Sequence, residues 1–124
     1  VPVSVGELID KLSILHVKKT KIVNEEKLTF INKEFELLYN MSSYYLNDVE
    51  ISKLYHELVD VNSKLWEVED ELRVIESTKN FDSIFIELAR KVYYTNDERF
   101  SLKNDINELT NSEVREQKDY IEYK

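Results

Sequence analysis

The 124-residue chain has no cysteine and only one glycine and one proline. Without cysteine there is no disulfide framework and no thiolate nucleophile. With Gly6 as the sole glycine there is no glycine-rich loop to cradle a phosphate. Scarce Gly and Pro also leave almost no punctuation for hairpin turns, which argues against a β fold. No apolar run approaches the ~20 residues that a membrane-spanning helix needs. Positive charge is short as well: 17 Lys and Arg stand against 25 Asp and Glu, for a net charge of −8 spread along the chain. Nucleic-acid partners are disfavoured, because affinity there rests on cations neutralising phosphates. Nothing near the start has the charged lead and apolar core of a signal peptide. The expectation is a cytoplasmic protein with neither a nucleic acid nor a membrane as partner.

Apolar residues make up 42% and charged residues 34% of the chain, weighted towards straight-chain types that lose little entropy in a helix. Ile51, Leu54, Leu58, Val61, Leu65, Val68, Leu72 and Ile75 alternate at three and four residues. That seven-residue repeat gives one helix a single apolar seam. The fold class is therefore all-α, an antiparallel helical hairpin or bundle with long coiled-coil-like helices. One helical domain is expected over 1–124, large enough to bury a modest core. Its helices are expected at about 5–22, 25–39, 49–76 and 82–109, with a short helical tail from 112.

Local signals set those boundaries. Ser4 and Glu7 have capping-box spacing, Asn24 precedes Glu25 and Glu26, Asn47 or Asp48 is expected to cap the third helix, and Asp82 the fourth. Residues 40–48 lose the period and gather Asn, Ser and Asp, so they are expected to form the main loop. Residues 77–80 make a short connection between two helices of similar length, which favours an antiparallel pair. Positions whose numbers sum to about 158 then lie level, and Trp66 falls beside Val92 and Tyr93.

The fourth helix continues a three-four frame through Phe81, Phe85, Leu88, Val92, Thr95, Arg99, Leu102, Ile106 and Leu109. Two members are polar. Thr95 and Arg99 come level with Asn62 and Asp60, making a polar layer in an apolar seam. A charged seam residue costs stability unless paired, so Arg99 needs a carboxylate, with Asp60 as first candidate and Asp97 as the local one. Such a layer fixes register and helix orientation in a bundle, and that structural role is the leading reading. As a ligand site it would bind an anionic group through Arg99, with Asn62, Thr95 and Asn96 as companions and Trp66 and Asp60 nearby.

Other patterns are weaker. Glu67, Glu69, Asp70 and Glu71 form an acidic run, and Asp105 with Glu108 has the one-turn spacing by which all-α pyrophosphohydrolases hold magnesium. Antiparallel register keeps these groups roughly 21 Å apart along the axis, so a solvated face is the better reading. A carboxylate from the first helix, Glu7 or Asp10, would be needed to complete a set. His16 and His56 show no metal-ligand spacing. Arg73, Arg90 and Arg99 could be set in a chorismate-mutase-like interior, but the first two fall off their seams. No catalytic residue, metal ligand or cofactor is indicated.

The segments SVGELIDKLSIL (4–15), VNSKLWEVEDELR (61–73), FIELARKVYYTNDERFSLKNDIN (85–107) and the closing NSEVREQKDY resemble a family of short, functionally uncharacterised all-helical proteins. The resemblance implies occurrence in bacteria, marine ones among them, and in their phages. It covers nearly the whole chain. Gly6, Glu7, Asp10, Lys11, Asn62, Trp66, Glu69, Asp70, Arg90, Tyr93, Asn96, Asp97 and Arg99 match its pattern, whereas His16 stands where that pattern has an acidic residue. It implies no activity. The heptad seam and the lack of a catalytic constellation favour a non-enzymatic interaction module, a homo-oligomer (a dimer first) or the binder of a protein partner. The alternative is an enzyme that binds a small anion or nucleotide through the layer around Arg99.

Overall fold

The computed structural model describes residues 3–111, so the helical tail expected from 112 lies outside the described residues. These residues form four α-helices, α1 (Val5–Lys21), α2 (Glu25–Leu46), α3 (Val49–Thr78) and α4 (Ser83–Thr110). The all-α reading holds.

Each helix starts where a side chain meets its orphan amides. Ser4 Oγ accepts from Glu7 N at 3.1 Å, and Asn24 Oδ1 accepts from Lys27 N at 3.0 Å. Asp48 Oδ1 takes the amides of Glu50 and Ile51, and Asp82 Oδ1 those of Ile84 and Phe85. Such caps satisfy donors that the helix itself cannot. At the other end of α3, Lys79 closes the helix in the left-handed region, with φ 59°.

The loop expected over 40–48 is not there. Helix α2 runs on to Leu46, and only Asn47 and Asp48 connect it to α3. Packing overrides the local preference. Tyr45 and Leu46 pack against the core, and the Ser42 hydroxyl turns back to Leu38 O at 2.7 Å while its residue is wholly buried. Serine used in this way stays within the helix instead of competing with it.

Helix α1 is central and touches all three others, while α3 and α4 share the most extensive contact. Its successive ties to α4 fall at Gly6 with Asn107, Glu7 with Lys103 and Asp10 with Arg99, so the two run antiparallel. Against α3, Asp10 and Ser13 meet Asn62, His16 meets Tyr55 and Lys21 meets Glu67. The core lies around Ile9, Leu12, Tyr55, Leu58 and Ile106. Beyond the end of α1 at Lys21, which reaches Glu67, the last turns of α3 and the first of α4 continue as a two-helix arm. At 1.5 Å per residue its length is roughly 15 Å. Leu72 and Ile75 are half-buried there, whereas Val74, Phe81, Ile84 and Ile86 are exposed.

Candidate functional site

Four polar residues of α4, Thr95, Arg99, Lys103 and Asn107, recur at every fourth position and so form one ridge. Three of them meet α1. Asn107 Oδ1 accepts from the Gly6 amide at 2.7 Å, satisfying a donor in the first turn of α1. Lys103 Nζ pairs with Glu7 Oε1 at 2.6 Å, so the Glu7 carboxylate turns to α4. Arg99 clamps Asp10 from two sides, Nε to Oδ1 at 2.9 Å and Nη2 to Oδ2 at 2.5 Å.

Close approach makes this ladder work. A Cβ on Gly6 would sit 2.5 Å from Lys103 O and 2.8 Å from Asn107 Oδ1. The first of these is backbone and cannot swing away. The only glycine of the chain therefore marks a helix crossing, and the start of α1 is occupied by Asn107.

Asp10 is the hub. Its side chain is 2% exposed, against 27% for Arg99, and its Oδ1 also accepts from Asn62 Nδ2 at 3.1 Å. Asn62 donates again to Ser13 Oγ at 2.8 Å, and Ser13 donates to Asp10 O at 2.5 Å. A buried carboxylate held by one guanidinium and one amide has the partners that burial demands. Among the described residues no buried side-chain nitrogen or oxygen lacks a partner.

The pairing differs from the sequence expectation. Arg99 turns to Asp10 on α1, not to Asp60, which is exposed beside an open groove of about 470 Å³ that Asp97 and Glu98 also line. Seam arithmetic places residues level along the hairpin but does not say on which flank a third helix lies. On the flank of α1, Asn62, Trp66 and Arg99 come together with Ile14, Val17, Leu65 and Glu69 around a cleft of about 200 Å³. Thr95 is buried one turn before Arg99 and Asn96 is half-buried beside it, yet neither lines this cleft. Lys103, Asn107 and Ser13 were not singled out from the sequence. The fourfold spacing of the α4 ridge is the signal that could have found the first two.

Beside the core, His16 Nδ1 and the Tyr55 hydroxyl share a hydrogen bond of 2.9 Å. Burial lowers the His16 pKa from 6.5, with Lys19 and His56 adding to the effect. Burial pushes the Tyr55 hydroxyl up to about 12, with Tyr39 adding to it. Both groups are thus held neutral near pH 7. Arg73 and Arg90 are exposed, and Arg90 Nη2 donates to Tyr94 OH at 3.1 Å, so the three arginines are not gathered in one interior. Among the described residues no group of three or more His, Cys, Asp or Glu could hold a metal ion, and no helix is long and apolar enough to cross a membrane.

A model for a family of unknown function, DUF6165, matches residues 1–123. The chain belongs to that family. No curated protein and no solved structure matches it. In this DUF6165 member the ladder between α1 and α4 fixes how the first helix lies on the long hairpin, and the cleft beside Trp66 opens where the ladder ends.

Proposed function

We propose that the protein is a non-enzymatic helical interaction module that works by self-association or by binding a protein partner. The observation that supports it is apolar surface left open on long helices, Phe30, Leu37, Met41 and Tyr44 on α2 and Ile84 and Ile86 on α4, with Phe81 beside them in the turn of the arm. Apolar surface held on rigid helices is what helix-in-groove and bundle interfaces bury. The polar layer supports the same reading, because Arg99 and Asn62 both bind the buried Asp10 carboxylate and Asn62 also binds Ser13, a cross-helix set suited to fixing register. The net charge of −8 turns the module away from nucleic acid, and we place it in the cytoplasm. The host range that the resemblance implies, bacteria and their phages, belongs to the same proposal.

The test is photo-crosslinking in cells that make the protein, with the reactive residue at Met41 or, separately, at Ile84. A defined adduct from one of these positions, with a second copy or with one other protein, is the expected outcome. No defined adduct from either would overturn the reading.

One observation favours the alternative of a small-anion or nucleotide-binding enzyme. Arg99 is partly exposed and shares its cleft with Trp66. At about 200 Å³ the cleft falls below the ~300 Å³ of ordinary ligand pockets, so a small anion fits this reading better than a nucleotide. A thermal-shift screen of anions, nucleotides and sugar phosphates decides it. A compound that raises the melting temperature of the wild type but not of Trp66→Ala supports a site; no compound doing so removes it.

A further inference from the structure

Helix α2 carries two apolar stripes where a surface helix needs one. The inner stripe, with Phe35 and Leu38, packs against the core. The outer one consists of Phe30, Leu37, Met41 and Tyr44, each 61% to 80% exposed. Phe30, Leu37 and Tyr44 are seven residues apart, which keeps them in line over two turns at each step. The spacing is also symmetric about Leu37, and symmetry of this kind suits an isologous contact in which one patch meets itself.

We propose that the outer stripe of α2 binds a second copy of this chain, with the two α2 helices antiparallel across a two-fold axis at Leu37. This rests on the interaction-module reading and names its partner. In that arrangement residues whose numbers sum to 74 lie level. Leu37 meets Leu37 of the other copy, and Phe30 meets Tyr44. Lys33 of one copy comes level with Met41 of the other, and Glu34 with Asn40, so neither charge inside the stripe faces its like. The Lys33 stem lies along apolar surface while its ammonium stays in water. A parallel pairing would instead set Lys33 beside Lys33 and Glu34 beside Glu34, which like-charge repulsion disfavours. The arm offers apolar residues too, but without such a centred repeat.

The absence of cysteine makes the test clean, since an introduced thiol has no competitor. The expected results are a two-chain mass by light scattering, and a dissociation constant raised at least tenfold by Leu37→Glu with unchanged helical circular dichroism. Leu37→Cys alone should form an intermolecular disulfide under mild oxidation. Phe30→Cys and Tyr44→Cys should cross-link efficiently when mixed and poorly when each is alone. A single-chain mass at every concentration overturns the pairing. A dimer indifferent to Leu37→Glu, with no Leu37→Cys cross-link, also overturns it and leaves the interaction-module reading standing on another surface. An adduct from Met41 to a different protein, with the chain itself monomeric, also overturns the pairing and gives this same stripe to that protein.

Discussion

Arg99 and Asp10 differ in exposure, and the difference decides what each substitution does. The carboxylate is almost fully buried, so removing its guanidinium strands a charge in the bundle interior. Arg99→Met should cost about 3 kcal/mol, whereas Asp10→Asn leaves a partly exposed guanidinium that water can reach and should cost less, about 1–2 kcal/mol. The double variant should cost much less than the sum, because neither uncompensated charge remains. Urea unfolding followed by the fluorescence of Trp66, the only tryptophan, measures this directly. Small additive effects would show that the pair is not coupled. At Gly6 the expected loss is about 1–3 kcal/mol for Gly6→Ala, since the added methyl meets the Lys103 carbonyl and must push the helices apart. His16 sets a pH dependence. Its folded pKa lies below the unfolded 6.5, so the unfolded chain binds the proton more readily. Stability contributed by the neutral ring is complete above pH 6.5 and declines as pH falls below it. His16→Gln should therefore reduce the difference in urea midpoint between about pH 7.5 and about pH 5.5, where few carboxylates titrate. An unchanged difference would mean that His16 titrates alike in both states.

Helix boundaries and helix packing were not equally legible. Ser4, Asn24, Asp48 and Asp82 announce the starts of α1 to α4, because a cap is a bond between neighbours in sequence. Residues 40–48 misled because Tyr45 and Leu46 are held helical by the core, which no local pattern records. The candidate site divides in the same way. Thr95 and Arg99 stand out as polar interruptions of the α4 seam, with Asn62 level with them on α3, but Asp10 is polar on a helix that touches three others, and only the tertiary arrangement shows it to be the hub. Termination is legible less often than initiation. Lys79 ends α3 with φ 59°, a conformation that costs an L-residue roughly 1 kcal/mol and costs glycine almost nothing. Its exposed pair with Glu76, at 3.5 Å, returns little. Lys79→Gly should thus raise stability by about 0.5–1 kcal/mol, read as a higher urea midpoint with an unchanged slope. A lower midpoint would show that the added freedom of the unfolded chain outweighs the relieved strain.

Across the whole molecule, stability is distributed along the axis of the hairpin. The trunk buries Ile9, Leu12, Leu58 and Ile106 completely, with α1 enclosed by three neighbours. Among the described residues the arm has only α3 and α4, each lending the other a single seam, and Phe81, Ile84 and Ile86 are exposed. Two helices without a third layer bury too little apolar surface to offset the ordering of their backbone, so the arm depends on the trunk for its order. Local opening should therefore start at the 79–82 turn and run towards the trunk, stopping where α1 begins to cover the hairpin near Glu67. In native-state hydrogen exchange, amides of residues 72–88 are expected to exchange at least tenfold faster than those of 9–15 and 55–65. Pairing two chains along α2 covers the trunk and leaves the arm free, so this gradient should persist in a dimer of that kind. A dimer made through the arms would flatten it. The exchange profile measured at low and high protein concentration consequently distinguishes the two surfaces, because only an arm-mediated contact slows residues 72–88 as concentration rises.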